Sequence, residues 1–315
     1  MSPERETELD LLVHRMSWEA EGVLSVELVH PDGKPLPAWE PGAHLDLHLG
    51  GLIRQYSLCG DPADTARYRI GVLDEPDSRG GSRHVHTKLR PGQRVHTVGP
   101  RNHFALEPAA RYVFVAGGIG ITPILAMARE ADRRGVPYTL VHGGRSRASM
   151  AFGGELNALR GGRVTFVPQD EHGHIDLPAA LAGLDQDTLV YCCGPEPLLA
   201  AVEEAVPDGR LRLERFAAPK SETTGDDTAF AVECRASGVT VEVGAGTSVL
   251  DAVEAAGVAV GSSCREGICG SCETRVVSGT PDHRDFLLSE AEQNSGATMM
   301  ICVSRCASDR LVLDL

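Results

Sequence analysis

Short segments in which apolar and polar residues alternate fill the N-terminal third of the chain. His44-Leu45-Asp46-Leu47-His48-Leu49 and Tyr68-Arg69-Ile70-Gly71-Val72 send every second side chain to the same face, the period of a strand buried on one side. Turn clusters such as Pro31-Asp32-Gly33 and Pro91-Gly92 separate these segments, so residues 1–107 read as an antiparallel barrel or sandwich. From Arg111 the pattern changes. Continuous apolar runs (Tyr112 to Ala116, Tyr138 to His142, Arg163 to Val167, Thr188 to Cys192) alternate with helix-like stretches (Pro123 to Arg134, Pro178 to Ala182, Pro197 to Ala205). That alternation predicts an α/β domain over residues 108–217, a parallel sheet covered by helices. A polar stretch without periodicity, Ala217 to Thr228, reads as a linker, placed at 218–228. Residues 229–315 then show four strands (Phe230 to Arg235, Val239 to Val243, Glu273 to Ser278, Arg310 to Leu315). One helix, Ser248 to Ala256, follows Thr247 as its expected N-cap.

Charge and composition narrow the partners. The formal net charge is −14, which argues against nucleic acid, since phosphate neutralisation needs Lys and Arg. The acidic N-terminus lacks a basic segment followed by an apolar one, and the most apolar run, Tyr112 to Ala128, is interrupted by Gly117, Gly118, Gly120 and Pro123. A cytoplasmic location without signal peptide or membrane span is therefore expected. In a reducing compartment the nine cysteines are expected to be metal ligands or buried apolar residues. The latter reading fits Cys59 and Cys234.

Cys264-Arg265-Glu266-Gly267-Ile268-Cys269-Gly270-Ser271-Cys272, with a distant Cys302, has the C-x4-C-x2-C…C spacing of a plant-type [2Fe–2S] site. Gly261, Gly267 and Gly270 let such a loop fold closely, and its backbone N–H groups, with Ser262, Ser263 and Ser271, are potential donors to sulfur. Zinc sites come as two cysteine pairs, and no second pair accompanies Cys302.

Val113 to Pro123 is a strand, a glycine turn (Gly117, Gly118, Gly120) and a helix start at Thr122-Pro123. Such a turn brings backbone N–H groups and the helix dipole to a pyrophosphate. Cys193-Gly194-Pro195 is a second strand-to-helix glycine turn, and two of them in one parallel sheet open onto a shared crevice. Arg145-Ser146-Arg147, after another strand, would clamp a 2′-phosphate or be solvated surface charge, which leaves NADH versus NADPH open. In the strand-rich half, Arg54-Gln55-Tyr56-Ser57 and Arg79-Gly80-Gly81-Ser82 offer an aromatic ring, hydroxyls, guanidiniums and a backbone anion cradle.

These segments, in this order, together with Pro100-Arg101-Asn102-His103-Phe104, Glu214-Arg215-Phe216 and Asp282-His283-Arg284-Asp285, resemble the phthalate dioxygenase reductase family of the ferredoxin–NADP reductase superfamily along nearly the whole chain. The resemblance implies an FMN-binding barrel, an NAD(P)-binding domain and a β-grasp-like ferredoxin. It implies FMN contacts from Arg54, Gln55, Tyr56, Ser57, Gly71, Val72, Leu73, Arg79, Gly80, Gly81, Ser82, Thr122 and Phe216. NAD(P) would meet Gly117, Gly118, Gly120, Thr122, Pro123, Arg145, Ser146, Arg147, Cys193, Gly194 and Pro195, with Cys193 beside the nicotinamide. The stretch Gly71-Val72-Leu73-Asp74 lacks the basic residue found there in some members, so phosphate charge would rest on Arg54 and Arg79.

A nicotinamide yields two electrons as hydride and a [2Fe–2S] cluster takes one at a time, so a flavin must stand between them. The expected activity is an NAD(P)H-dependent reductase passing electrons through FMN and the cluster to a separate terminal oxygenase. A Rieske-type oxygenase is favoured by the resemblance, and a cytochrome P450 comes second. The alternatives are a stand-alone diaphorase and a redox sensor. No catalytic acid–base residue is required, and His84, His86, His172 and His174 are expected at the surface.

Overall fold

A computed structural model describes residues 7–76, 78–206, 209–219 and 227–315. Most of the predicted linker, residues 220–226, lies outside the described residues. The chain divides into two compact units, Met1–Arg215 and Phe216–Leu315.

The first unit contains two sheets. Strands β1 (Glu8–Ala20), β2 (Val23–Val29), β3 (Ala43–Leu49), β4 (Leu52–Ser57), β5 (Arg67–Leu73) and β6 (Arg94–Asn102) form an antiparallel sheet in the order β4-β3-β6-β1-β2-β5. An antiparallel bridge between Leu58, just past β4, and Ile70 of β5 joins the two edges. The inward residues of the alternating segments, Leu45, Leu47, Leu49, Tyr68 and Ile70, are wholly or almost wholly buried. A short helix, α1 (Gly81–Thr87), packs beside this sheet and buries Val85.

The second sheet is parallel, in the order β11 (Leu211–Glu214), β10 (Thr188–Cys193), β7 (Arg111–Gly117), β8 (Tyr138–Gly144), β9 (Gly162–Pro168). Strand order reverses between β7 and β10, the place where doubly wound sheets open a ligand crevice at the strands' carboxyl ends. Helix α2 (Ile121–Arg134) buries residues 121–128 almost entirely and ends at Gly135, whose φ of 68° is the left-handed helix stop. Between β8 and β10 lie α3 (Gly153–Ala158), α4 (Gln169–His172) and α5 (Leu177–Ala180), and α6 (Glu196–Ala205) follows β10. The two sheets share buried residues: Ala20, Val23 and Cys59 pack with Phe104, Phe114, Leu125 and Phe152.

The second unit has a mixed sheet in which β12 (Phe230–Cys234) pairs with β13 (Val239–Val243) and with β18 (Arg310–Leu313). Strand β14 (Glu273–Ser278) joins β18 to β16 (Thr298–Met300), and a small ribbon pairs β15 (Pro281–Asp282) with β17 (Arg305–Cys306). Helix α7 (Val249–Ala255) covers the core through Val249, Leu250 and Val253. Two expectations change here. The N-cap of α7 is Ser248 rather than Thr247, because Ser248 has the extended backbone of a cap and its side chain accepts from the Asp251 N–H. A second helix, α8 (Glu290–Ser295), is also present, started by a capping box between Ser289 and Glu292. It lacks a buried face, which is why apolar periodicity does not reveal it.

Candidate functional site

In the first unit, the two predicted glycine turns meet. A Cβ on Gly120 would fall 2.2 Å from the Cys193 carbonyl oxygen, and one on Gly117 would fall 2.6 Å from Pro195 Cδ. Neither position tolerates a side chain without displacing backbone or ring atoms, so glycine is what lets the ends of β7 and β10 close against each other. Gly118, at φ 54°, faces open space, as a turn that receives a ligand requires. Its carbonyl is held by His142 Nε2 at 3.2 Å. His142 is fully buried on β8, and burial pushes it down to about 4, so the ring is neutral and Nε2–H is the donor. Thr122 is buried, and its Oγ1 donates to the Ile119 carbonyl at 3.0 Å.

The end of β4 reaches the same place. Ser57 Oγ donates to Glu214 Oε2 at 3.4 Å, and the Cys193 thiol lies 4.0 Å from that oxygen. Burial pushes Glu214 up to about 8, against the opposing Ser57 bond. Burial and the neighbouring Glu214 push Cys193 well above the usual thiol range. Both shifts favour the neutral forms of these groups. Glu214 is the member that sequence reasoning noted only inside a motif; its position at the end of an edge strand of the parallel sheet is the signal that picks it out.

Arg54 and the 79–82 loop come together. The Arg54 side chain lies across Gly81, where a Cβ would be 2.4 Å from its Cγ, and Nη2 donates to the Arg79 carbonyl at 2.9 Å. Ser82 Oγ bonds Ser78 Oγ at 2.9 Å and accepts from the Glu75 N–H at 3.3 Å, tying the loop. Tyr56 lies on the same strand, its phenol pushed up to about 12 by burial against the pull of Arg54. The other predicted residues of this half have the following neighbours. Gln55 reaches Asp46 at 2.7 Å, Gly71 approaches Thr122 and Phe152, Val72 is buried and its carbonyl meets His86 Nε2 at 2.9 Å, and Leu73 is half-buried. His84 and His86 are partly buried, whereas His172 and His174 are exposed. Arg145 and Arg147 are exposed in the turn after β8, and Arg147 leans toward Glu171 at 3.8 Å. Ser146 forms a capping box with Ser149. Phe216 is exposed.

In the second unit Cys264, Cys269, Cys272 and Cys302 are all buried. Their thiols interact in pairs, Cys264 with Cys269 and with Cys302, and Cys272 with Cys302. Contact with Cys264, added to burial, raises the Cys269 thiol far above its ordinary value, a crowding of protons that metal ligation removes. The Glu266 N–H donates to Cys264 Sγ at 3.3 Å, and Ser271 Oγ lies 3.1 Å from Cys269 Sγ. Arg265 and Gly267 adopt left-handed backbone, φ 58° and 72°, which folds the loop around the thiols. Among the described residues no three His, Cys, Asp or Glu side chains converge on one ion. The contacts run Cys269–Cys264–Cys302–Cys272, so the four thiols form one connected group. The donor set fits a [2Fe–2S] cluster.

Residues 232–307 match the model of the 2Fe-2S iron–sulfur cluster binding domain, and residues 114–204 match that of the oxidoreductase NAD-binding domain. The chain is 44% identical over 313 residues to the phenoxybenzoate dioxygenase subunit beta of Ectopseudomonas oleovorans, covering 98% of this chain and 97% of that one. It is 38% identical over 317 residues to the tetrachlorobenzoquinone reductase of Sphingobium chlorophenolicum, covering 98% of each. Among solved structures, phthalate dioxygenase reductase, described as modular for electron transfer from pyridine nucleotides to [2Fe–2S], superposes with a TM-score of 0.70, 36% identity and 98% of both chains covered. The chain belongs to the phthalate dioxygenase reductase family. This family member is an oxidoreductase with nucleotide-binding and iron–sulfur domains. It also superposes on an intact type IV self-sufficient cytochrome P450 monooxygenase with a TM-score of 0.92 and 44% identity, covering 98% of this chain and 41% of that one. No helix among the described residues is long and apolar enough to cross a membrane.

Proposed function

We propose that this protein is the reductase component of an oxygenase system, taking electrons from NAD(P)H and delivering them to a separate terminal oxygenase. The observation that carries the reading is the presence, in one chain, of a dinucleotide-type switch point and a buried four-thiol loop. When bound, FMN would convert the hydride's two electrons into single electrons for the cluster. The antiparallel sheet closed at Leu58 and Ile70 is its proposed barrel, over residues 1–107. The nucleotide-binding domain is assigned to 108–217, the linker to 218–228 and a β-grasp-like ferredoxin to 229–315.

The residue roles follow from the groups present. Arg54, Arg79, Gly80, Gly81 and Ser82 would receive the FMN phosphate. Tyr56 and Ser57, with Thr122 and Phe216, would flank the ring; the roles of Gln55, Gly71, Val72 and Leu73 would then be to shape the surrounding wall. Gly117, Gly118, Gly120, Thr122, Pro123, Gly194 and Pro195 form the pyrophosphate turns, and Cys193, a neutral thiol next to Ser57 and Glu214, would meet the nicotinamide. Arg145, Ser146 and Arg147 face the adenosine end, where a 2′-phosphate would need the cationic charge that Arg147 now shares with Glu171. Cys264, Cys269, Cys272 and Cys302 are the proposed cluster ligands. Hydride transfer then depends on alignment, which is what the closely packed glycine turns supply.

The acceptor class follows from the relatives named for dioxygenase systems, so a Rieske-type oxygenase comes first and a P450 second. The test is steady-state reduction of cytochrome c by NADH. A Cys272→Ser variant should lose it while still reducing its flavin; full cytochrome c reduction in that variant would refute the electron route. A second reading, direct reduction of small quinones, is favoured by the likeness to a tetrachlorobenzoquinone reductase. It predicts quinone turnover that Cys272→Ser leaves intact.

A further inference from the structure

The segment 283–288 bears no metal ligand, yet it joins the two parts of the chain that do. Asp285 has a fully buried side chain. Its Oδ2 accepts from the Leu288 N–H at 2.8 Å and the Leu287 N–H at 3.3 Å, and its Oδ1 accepts from Ser304 Oγ at 3.4 Å. Ser304, itself completely buried, stands two residues beyond Cys302 and also accepts from the Arg284 N–H at 3.2 Å. On the other side, the Phe286 N–H donates to the Gly267 carbonyl at 3.0 Å, and a Cβ on Gly267 would fall 3.1 Å from Asp285 Cα. Gly267 belongs to the loop between Cys264 and Cys269. One short segment therefore grips both the three-cysteine loop and the strand end that carries the fourth cysteine.

The surroundings of Asp285 are also unusual. Nearby cations are engaged with other carboxylates: Arg284 with Asp227 and Asp282, and Arg305 with Asp227. Among the described residues the basic group beside Asp285 is His283, whose Nδ1 lies 3.5 Å from Oδ1 with the ring buried and both nitrogens lacking a hydrogen-bond partner. A carboxylate in a buried site opposes addition of an electron nearby, because low-dielectric surroundings screen it weakly. Cluster potentials respond to net charge and to hydrogen bonds around the sulfurs, and groups that orient ligands govern how firmly the metal is held.

We propose that Asp285 is a positioning residue for the iron–sulfur site: it locks the Cys264–Cys272 loop to the Cys302 segment and lowers the reduction potential of the cluster they hold. The inference rests on the assignment of the four cysteines as [2Fe–2S] ligands. The test uses the full chain with its cluster, read by visible absorption, electron paramagnetic resonance and redox titration. Asp285→Asn, which keeps the size and an acceptor oxygen, should retain the cluster and move its midpoint potential upward. Asp285→Ala should lose the cluster to a chelator about 10-fold faster than the parent. Ser304→Ala, which keeps the charge but removes one strap, should speed cluster loss with a smaller change in potential than Asp285→Asn. Should Asp285→Ala fail to fold, Asp285→Asn and Ser304→Ala decide the matter. Cluster lifetimes and potentials indistinguishable from the parent in both would overturn the proposal. Absence of a [2Fe–2S] spectrum in the parent chain would instead overturn the ligand assignment.

Discussion

Replacing Glu155 by alanine tests how the two sheets of the first unit are held together. Glu155, on α3, accepts from Arg69 of β5 at 3.0 and 2.9 Å, and Arg129 of α2 donates to the same carboxylate. Both guanidiniums also bind the Cys59 carbonyl, at 3.1 and 2.8 Å, and Arg69 lies over the Phe152 ring, 5.1 Å from its centroid. One carboxylate thus balances two cations where strand, helix and loop converge. Burial already pushes Arg129 below its ordinary value, so loss of the carboxylate leaves that charge worse placed. Removing one partner of a fully buried pair costs about 3–5 kcal/mol, and an exposed pair contributes about 0–1 kcal/mol. With side-chain exposures of 34% for Glu155, 16% for Arg69 and 21% for Arg129, the cost falls between these limits, about 2 kcal/mol.

For a unit of this length that lowers Tm by about 4–8 °C, measurable by circular dichroism on the full chain. Arg69→Met and the Glu155→Ala/Arg69→Met double variant complete the cycle. The double variant should cost clearly less than the sum of the singles, since Arg69 no longer misses its partner. Strict additivity, or a Glu155→Ala transition coincident with the parent's, would refute the clamp.

Other outcomes follow from the nucleotide end. His142→Ala removes the neutral donor to the Gly118 carbonyl, a bond contributing about 1 kcal/mol, so KM for NADH should rise roughly fivefold with kcat little changed; an unchanged KM would show that the turn holds its shape alone. Glu214 is raised above its unfolded-state value by burial, so its contribution to stability is complete below the ordinary carboxylate range and is lost as pH rises through about 8. Glu214→Gln should flatten that limb in thermal melts taken across the range. A limb that persists in the variant assigns it to another group.

Much of this arrangement can be read directly along the chain because its signals are local. Alternation in His44 to Leu49 gives a strand, the run Tyr112 to Ala116 gives a buried parallel strand, and the C-x4-C-x2-C spacing gives a loop that must close on metal. What escapes is set by long-range partners. Arg69, Arg129 and Glu155 look like solvated charges one at a time, and only the meeting of β5 with α2 and α3 makes them a cluster. His86 carries no local mark of burial, because its partner is the Val72 carbonyl on a neighbouring strand. The cap of α7 shows the finer limit: Thr247 and Ser248 are chemically alike, and backbone geometry selects Ser248.

The same long-range logic explains why the junction between β4, β10 and β11 favours neutral side chains. Each polar group there, Ser57, Cys193 and Glu214, has an ordinary counterpart at protein surfaces, where Glu214 would be ionised at neutral pH. Packing the strand ends together removes water and shifts both titratable groups toward their neutral forms. On the proposed assignment this is where a nicotinamide gives up hydride and becomes a cation. A carboxylate ionised at that point would hold the oxidised ring by Coulomb attraction and slow its departure. A protonated Glu214 beside a neutral thiol retains hydrogen-bonding capacity without that attraction. Raising the pH through about 8 should therefore shift the limiting step toward release of the oxidised nucleotide.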